Sequence, residues 1–484
     1  MFNRKVPLII ISVIVIIILT VGSDRLPKTY PKGEKGVLDL VTLDFERDIT
    51  QIDGEWEFYW EQLLDPNDID TGLITGNIVI PRSWNNYETK EGGISGNGYA
   101  TYRITIVLAK SERLALKIPR IRSAYMLWVN GELIAKAGTV GKTRDTMVPQ
   151  HLPQVAGFDA QKGNNEIIVQ VSNFYHRSGG MLESIKLGSD KQILELKYRN
   201  IALNILLFSS LITMGVYHLA LYFFRKKNIA ALYFGSFCML IGIRTLLVGE
   251  CFIFNLFPDF SWEIAHKILT LTYHFGVPLV LMFFLSIYPK YFHLNMIKLA
   301  QLFGMVFSAL TLLTPARIFT VANPVYQIWS FIVIVYILWV LIRIYSNKEK
   351  DSWLIIIGAL ALLLTTINDI AFVSTWLNDR EHTFLRIFIR TGNLISIGQL
   401  IFAFTNSLLL AKKFSSSLEH VETVTAELMV LNSYLDKLVL QRTKALMDSN
   451  KRIEKQNIEL ERINQNLRTS SSKNSLEDID TINK

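Results

Sequence analysis

The chain has 484 residues, of which half are hydrophobic, and a formal net charge of +8. The length allows two or three domains, and the positive mean hydropathy of +0.28 indicates a membrane protein and argues against an ordinary soluble one. Its two cysteines, Cys238 and Cys251, fit neither a disulfide framework nor metal-ligand spacing, so cysteine usage indicates no redox or metal chemistry.

The first hydrophobic stretch, Val6 to Gly22, follows the basic start "MFNRK". Small residues at plausible cleavage positions, Thr20 and Gly22, are typical of a signal peptide. The unbroken Ile/Val run is equally long enough to stay in the membrane as an anchor. We therefore expect residues 1–23 to be a signal peptide or a signal anchor.

Residues 24–197 differ in character, because turns rich in Gly, Pro, Asn and Asp separate short alternating runs. Period-two alternation with β-branched residues predicts strands, and the spacing of the runs predicts an antiparallel all-β sandwich. Asn130-Gly131 predicts a tight hairpin turn. The clearest runs are Thr101 to Ala109, Arg113 to Pro119, Ala124 to Gly131 and Asn165 to Asn173.

Several pieces of this segment, in chain order, resemble the sugar-binding jelly roll of family 2 glycoside hydrolases and the wider galactose-binding-like superfamily. They are "DGEWEFYW", "IPRSWN", "GYATYRITI", "LWVNGELIAKAG" and "NEIIVQVSN". "VGKTRDTMVPQHLPQV" followed by "VSNFYHRSGGMLESIKLG" is similar to the extracellular domain of bacterial seven-transmembrane receptors with diverse intracellular signalling modules. In the hydrolases this module is accessory and carries no catalytic carboxylates, so the resemblance implies ligand binding without catalytic residues.

Carbohydrate sites present flat aromatic faces beside amide or charged groups, because a sugar has an apolar C–H face edged by hydroxyls. On this basis the candidate ligand-binding residues are Trp84, Tyr87, Tyr125, His176 and Arg177. A tryptophan in a strand-like run, such as Trp84, is more often a core residue than a ligand contact. His176 and Arg177 precede Gly179-Gly180 in a predicted loop, which favours them as contacts for an extracellular small molecule or glycan.

Seven apolar stretches of helical length follow, each near the roughly 20 residues needed to cross a bilayer. They cover about 201–224, 230–249, 268–288, 299–319, 324–345, 353–376 and 387–410. "IGIRTLLVGECFIFNLFPDFSW" and "YHFGVPLVLMFFLSIYP" resemble the membrane region of the same receptor family, so that the resemblance covers most of residues 50–410. It implies a signal-transduction receptor.

Lys and Arg near the membrane ends predict the orientation. With the β domain outside, the inward-facing stretches hold Arg225, Lys226, Lys227, Lys290, Lys298, Arg343, Lys348, Lys350, Lys412 and Lys413, whereas the outward loops hold Lys267, Arg317, Arg380 and Arg386. The C-terminal part is therefore expected in the cytoplasm, below a plasma or inner membrane. Basic residues facing the inner leaflet account for much of the net charge, so no nucleic-acid partner is expected.

Ionisable residues within membrane helices are costly and usually face a partner, water or the bundle interior. All the candidates are expected in the outer half of the membrane, which predicts one polar cluster with Asp369 paired to Arg244 or Arg390. The cluster would either hold helices together or couple domain movement to helix movement. The candidates are Arg244, Glu250, Asp369 and Arg390.

A transporter is the rival interpretation of a polar bundle. Seven segments divide poorly into inverted repeats, and no matched pair of Gly/Pro-broken helices occurs in corresponding halves. Pro278 is isolated, and Pro315 and Pro324 are expected at segment ends. This pattern disfavours transport.

Apolar residues after the last membrane segment step by three and four from Phe414 to Leu438, which predicts a cytoplasmic coiled coil and hence a homodimer. The next position of this seam is Arg442, and a second seam begins at Leu446 with an offset of four residues. Such a stutter locally unwinds a coiled coil and allows two registers of similar energy. A plain dimer zipper is the alternative.

"VLQRTKALMDSNKRIEKQNIEL" resembles the signalling helix that precedes histidine kinase or diguanylate cyclase modules in bacterial receptors. The following "RTSSSKNSLEDIDTINK" is polar and predicted to be disordered, with no cyclase signature or nucleotide-binding box. His420 lacks the acidic residue and Arg expected after a phosphoacceptor, and is expected to be a solvated helix position. We therefore predict no enzyme and no cofactor in this chain, and a separate kinase or cyclase as its output partner.

The expected architecture is a multidomain membrane protein with an extracellular jelly-roll sandwich, a seven-helix transmembrane bundle and a cytoplasmic α-helical coiled coil. The alternative function is a carbohydrate-binding membrane scaffold without signalling, whose coiled coil serves assembly only. The expected boundaries are 1–23 for the signal peptide or anchor, 24–197 for the galactose-binding-like β-sandwich, 198–411 for the membrane region, 412–467 for the signalling helix and 468–484 for the tail.

Overall fold

The computed structural model describes residues 31–85, 87–89, 92–349, 352–373 and 394–482. The predicted signal peptide or anchor lies outside these residues. The chain divides into two compact units, Met1–Ser407 and Leu408–Lys484.

The first part of the chain is a β domain with fifteen strands among its described residues. They are β1 Val37–Asp39, β2 Thr50–Gln51, β3 Gly54–Trp60, β4 Gly76–Ile80, β5 Arg82–Ser83, β6 Glu88–Thr89, β7 Gly92–Gly93, β8 Gly98–Leu108, β9 Glu112–Ile118, β10 Ala124–Val129, β11 Glu132–Ala137, β12 Gln154–Ala160, β13 Gly163–Asn173, β14 Gly180–Met181 and β15 Lys186–Ser189.

Two sheets pack face to face in this domain, which confirms the predicted sandwich. One has the order β11-β10-β13-β8-β3-β4, with β1 parallel to β8, and the other has the order β12-β9-β15-β2. Alternate residues of both sheets share one buried core that includes Trp56, Ile104 and Leu116. The predicted hairpin turn joins β10 to β11, where Asn130 and Gly131 have φ of 50° and 85°.

Seven helices in the described part of the chain are long and apolar enough to cross a membrane, as predicted. A short helix, Ile253–Leu256, lies between the second and third of them. The seven are α1 Asp190–Phe224, α2 Ile229–Leu247, α3 Trp262–Ile287, α4 Leu294–Leu313, α5 Ala316–Ser346, α6 Ser352–Val373 and α7 Ile395–Ile482.

The helix α1 begins directly at the end of the last strand, well before the apolar stretch that predicted it. Ser189 ends β15 and caps α1, since its hydroxyl accepts from Gln192 N at 3.4 Å and its backbone N–H donates to Gln192 Oε1 at 3.1 Å. This reciprocal capping box stabilises a first helical turn that is too polar for hydropathy to detect. The sandwich and the first helix are thus joined without a linker.

The fifth helix corrects the expected position of one of the two prolines, Pro324. Pro315 caps α5, but Pro324 lies inside the helix and does not mark its start. A proline removes one helical hydrogen bond, and a membrane helix tolerates this loss because neighbouring groups satisfy the freed carbonyl.

The second unit consists of the rest of α7. The predicted disordered tail differs from the structure, because α7 continues to Ile482. No Gly or Pro follows Gly398 to end the helix. The described apolar residues of both predicted seams, among them Leu435 and Leu460, are exposed on this single chain. The Phe414 side chain lies outside the described part.

Candidate functional site

Loops at one end of the sandwich contact the ends of α2, α3 and α5, and we call this contact region the junction. Leu152 packs against Leu247, Cys251 and other apolar residues at the end of α2. Tyr175 packs against the apolar cluster that contains Trp262. The residues that define the junction are Lys117, Arg120, Arg122, His151, Leu152, Tyr175, His176, Arg177, Glu250, Trp262, His266, Phe319 and Thr320.

A buried ion pair crosses the junction. The Lys117 ammonium of β9 contacts the Glu250 carboxylate, and their side chains are only 13% and 6% exposed. Asn200 Nδ2 of α1 donates to the same carboxylate oxygen at 2.9 Å. Burial lowers the pKa of Lys117, and Glu250 opposes that shift. Because the added hydrogen bond satisfies the carboxylate further, the pair links the β domain to the helices with its charges compensated.

A column of rings also crosses the junction. The imidazole centroids of His176 and His266 are 5.3 Å apart, and His266 stacks on Trp262 at 5.2 Å. His151 meets Trp262 edge-on at 5.4 Å, and Phe319 also stacks on His266, with ring centroids 5.9 Å apart. His151 and His176 come from sandwich loops, whereas the other three rings belong to α3 and α5. Edge-to-face and stacked pairs of this kind favour one relative position of the two parts.

The electrostatic field at the junction is positive. Arg120 pairs with Glu183 at 3.2 Å, whereas Arg122 donates to the Ser178 hydroxyl at 2.6 Å. Burial, Arg177 and Arg120 lower the pKa of Arg122 to about 9, so it stays protonated at neutral pH. Burial lowers the pKa of His151 and of His176 well below the usual range, and Arg122 acts in the same direction on both. Both imidazoles are therefore neutral at pH 7.

Two polar atoms of the junction are buried without a hydrogen-bond partner among the described residues. They are His151 Nε2 and Trp262 Nε1. A buried polar atom that lacks a partner carries a desolvation cost, so such atoms are places where a bound molecule gains hydrogen bonds. Although three histidines meet here, no three His, Cys, Asp or Glu side chains in the described ranges are arranged to hold a metal ion.

The five predicted ligand residues do not form one site. Tyr125 is buried in the sandwich core, and Tyr87 is half-buried against Phe58, with ring centroids 5.1 Å apart. His176 and Arg177 do lie together, in the loop that reaches the junction, where Arg177 N donates to Thr320 Oγ1 at 3.2 Å.

Trp84 is also fully buried, and its indole donates to the Gly96 carbonyl at 3.1 Å. Its ring lies against Gly179, where an added Cβ would be 2.3 Å from the indole, and Asn85 Nδ2 donates to the Arg177 carbonyl at 3.0 Å. Trp84 and Asn85 therefore hold in place the loop that carries His176 and Arg177. Its burial leaves Trp84 no face for a ligand.

The predicted intramembrane cluster is divided in the structure. Asp369 of α6 accepts hydrogen bonds from Leu394 N at 2.8 Å and Ile395 N at 3.0 Å, so it caps the start of α7. Arg244 instead donates to the Leu269 carbonyl at 3.2 Å. The predicted ion pair between Arg244 and Asp369 is not formed, and Glu250 belongs to the junction. Arg390 lies outside the described residues.

The predicted stutter residues Arg442 and Leu446 are exposed on α7. Their role in a coiled coil stays a prediction, since it depends on a second chain.

Sequence reasoning missed Lys117, Arg122, His151, Trp262 and His266. Lys117 lies in an alternating strand, where a lysine suggests a solvent-facing position. Ser261, followed by the acidic Glu263, is an N-terminal capping signal that could have extended the third helix to Trp262, and so placed His266 one turn inside it.

Comparison with known proteins identifies the membrane region. Residues 200–413 match the family model described as 7TM diverse intracellular signalling. The match covers less than half of the chain, and it confirms the resemblance seen in the sequence for the membrane region. Together with the seven long apolar helices, it indicates a multi-pass membrane protein. No curated protein matched the chain.

Solved structures similar to the chain include three glycoside hydrolases. A GH2 β-galacturonidase from Eisenbergiella tayi is 13% identical, with a TM-score of 0.23, over 29% of this chain and 24% of its own. β-Glucuronidases from an uncultured Clostridium sp. and from Ruminococcus gnavus are 17% and 18% identical, each with a TM-score of 0.22, over 29% of this chain and 28% of theirs. This chain thus spans about a quarter of their length, and likeness at this level carries no argument about function.

Proposed function

We propose that this receptor senses an extracellular ligand, a carbohydrate or related small molecule, through its β-sandwich and transmits the signal through seven helices to the cytoplasmic part of α7. The observation that carries the proposal is the junction, where the sandwich and the bundle share a buried ion pair and a column of rings. A ligand that changes the position of the sandwich must change these contacts.

Two connections support transmission from the sandwich to the first helix. Ser189 belongs both to β15 and to the cap of α1, so a movement of the strand moves the helix start. Glu250 holds Lys117 of the sandwich and Asn200 of α1 through one carboxylate oxygen. A change of either contact alters the packing of α1 against α2.

The output is proposed to leave through α7. Asp369 caps the start of this helix, which therefore responds to movement of α6. Exposed apolar residues along α7 support a homodimer, with Arg442 and Leu446 at the change of seam. A separate histidine kinase or diguanylate cyclase would read the register of the two helices. The positive-inside distribution of Lys and Arg supports a cytoplasmic location for this part.

Cysteine crosslinking in the full chain tests the proposal. A glycan array probed with the chain in lipid nanodiscs first supplies the ligand. Leu435→Cys and Leu460→Cys, one in each seam, are then made separately after Cys238→Ala and Cys251→Ala. Both should form disulfide-linked dimers, whereas the exposed off-seam control Val430→Cys should form few. The ratio of the two yields should change when the array-positive glycan is added.

Two results would contradict the proposal. If no glycan binds, carbohydrate sensing is wrong. If a glycan binds while the ratio stays constant, the chain is a carbohydrate-binding scaffold whose coiled coil serves assembly only. A pull-down with the full chain then shows whether a kinase or cyclase attaches.

A further inference from the structure

The junction holds positive charge that the described part of the chain does not neutralise. Arg122 and Arg177 form no ion pair with a carboxylate among the described residues, although both residues are half-buried and Arg177 lowers the pKa of Arg122. Buried charges in native proteins are normally paired, because an unpaired one forfeits its hydration. Glu183 acts on Arg122 but forms its ion pair with Arg120. Two guanidinium groups that lack a directly paired carboxylate therefore indicate that an anion belongs beside them.

The acidic residues nearby are already engaged. Glu183 pairs with Arg120 at 3.2 Å, and Glu250 contacts Lys117. Glu263 accepts from the backbone N–H of Ala316 at 2.9 Å, which caps α5. None of the three is free to neutralise Arg122 or Arg177 without losing a contact that the fold uses.

Unpartnered nitrogen atoms lie in the same junction. Trp262 is 6% exposed, and its Nε1–H donates to nothing in the described residues; His151 Nε2 is also buried and unpartnered. Trp262 is the first residue of α3, and the N-terminal end of a long helix attracts negative charge. Arg122, Arg177 and His151 keep part of their surface exposed, so solvent reaches part of the group.

We propose that the junction binds a small carboxylate-bearing ligand of the sugar-acid class. The carboxylate would lie between the guanidinium groups of Arg122 and Arg177, which bind carboxylates through paired N–H donors. Trp262 Nε1 and His151 Nε2 would supply hydrogen bonds. The rings of Trp262 and Tyr175 belong to the same junction, with centroids 6.3 Å apart, and they suit the C–H face of a sugar better than a bare inorganic ion. The sugar character rests on the proposed function, whereas the carboxylate follows from the arginines.

Thermal unfolding of the full chain in lipid nanodiscs tests this site. The probes are D-glucuronate, D-glucose and inorganic phosphate; glucuronate and glucose share a ring and differ in the carboxylate. Glucuronate should raise the Tm saturably, and glucose should not. Arg122→Gln and Arg177→Gln should each weaken the glucuronate effect by about tenfold or more, because each removes hydrogen bonds to a charged group.

A matched control and a milder variant accompany the arginine changes. Arg47→Gln removes the same charge from a side chain that is 85% exposed and pairs with Asp44, so it should leave glucuronate binding unchanged. Trp262→Phe keeps a ring in the column and removes the Nε1–H donor. It should weaken binding several-fold even if an arginine variant fails to fold.

The proposal is overturned if glucose and glucuronate act equally, if phosphate alone raises the Tm, if no probe acts, or if the arginine variants bind like the Arg47→Gln control. The crosslinking assay distinguishes failure of this site from failure of the proposed function. Glucuronate binding with a constant crosslinking ratio would leave the site standing and remove the signalling role. A crosslinking ratio that responds to a neutral sugar, and that Arg122→Gln leaves unchanged, would support the signalling role and remove the carboxylate site.

Discussion

Glu250 at the junction and Asp369 in the bundle are two buried carboxylates that find different partners. The Glu250 carboxylate pairs with the Lys117 ammonium of β9 and accepts a hydrogen bond from the Asn200 amide of α1. Asp369 takes two backbone N–H groups at the start of α7. A buried carboxylate needs donors of either kind, and the chain's geometry decides which are within reach.

The difference determines what each carboxylate can do. The Glu250 contact joins two charges across two domains, so its loss leaves a buried ammonium without its counter-charge. The Asp369 contact joins a charge to uncharged donors, so its loss frees a helix end whose N–H groups are only partly compensated. The junction is therefore expected to be the more sensitive of the two regions to single substitutions.

Glu250→Gln should have the largest effect, a loss of about 3 kcal/mol or more, because removing one partner of a buried pair leaves the other uncompensated. Chemical unfolding of the purified full chain measures this. The double variant Lys117→Met with Glu250→Met should be much closer to wild type. A loss below about 1 kcal/mol for the single change, similar to that of the exposed control Asp44→Asn, would mean that the pair contributes no more than a surface ion pair.

Asp369→Ala should cost less, about 1–2 kcal/mol, because it removes a helix cap. Asp369→Asn keeps one oxygen acceptor and should cost less still. The same unfolding measurement applies. Reversing both charges, Arg244→Asp with Asp369→Arg, should restore nothing, because the two side chains do not form an ion pair. Recovery of stability in the double reversal would contradict the capping role of Asp369 and support an ion pair between Asp369 and Arg244.

Near neutral pH, the smallest effect should be the pH dependence that the junction contributes. His151 and His176 have pKa values lowered by burial, so the folded state resists protons that the unfolded chain binds near pH 6.5. Their contribution to stability is therefore complete above about pH 6.5. It falls as the pH drops below that value, by up to about 1.4 kcal/mol per pH unit for each histidine. Charges that face them come from Arg120, Arg122, Arg177 and His266.

Tm values between about pH 5 and 8 measure this dependence. Two variants should each make the Tm fall less steeply toward acid pH. They are His176→Asn, which keeps a side-chain hydrogen-bonding group, and His151→Phe, which keeps an aromatic ring. Asp369→Ala should lower the whole curve and leave its shape unchanged. Equal slopes in wild type and in both histidine variants would show that the junction does not govern the acid response.

Hydropathy predicted the seven helices and alternation predicted the strands of the sandwich. Each pattern is local, because it depends on whether successive residues face lipid, water or the core. The starts of α1 and α5 were not predictable in this way, because they depend on the capping box at Ser189 and on the Glu263 carboxylate that accepts from Ala316 N. The site could be predicted only as far as the loop that carries His176 and Arg177. Contacts such as Lys117 with Glu250 join residues far apart in sequence, and no local pattern encodes them.

Ser189 belongs both to β15 and to the cap of α1, so it also fixes how the sandwich is rotated about the axis of α1. Each residue of an α-helix turns the chain by about 100° and advances it by about 1.5 Å. One residue inserted after Ser189 would therefore turn the sandwich by more than a quarter of a revolution relative to the face of α1 that carries Asn200. Exchange of sandwiches between proteins with this join would then preserve the packing of α1 only where the register of the join is kept to the residue.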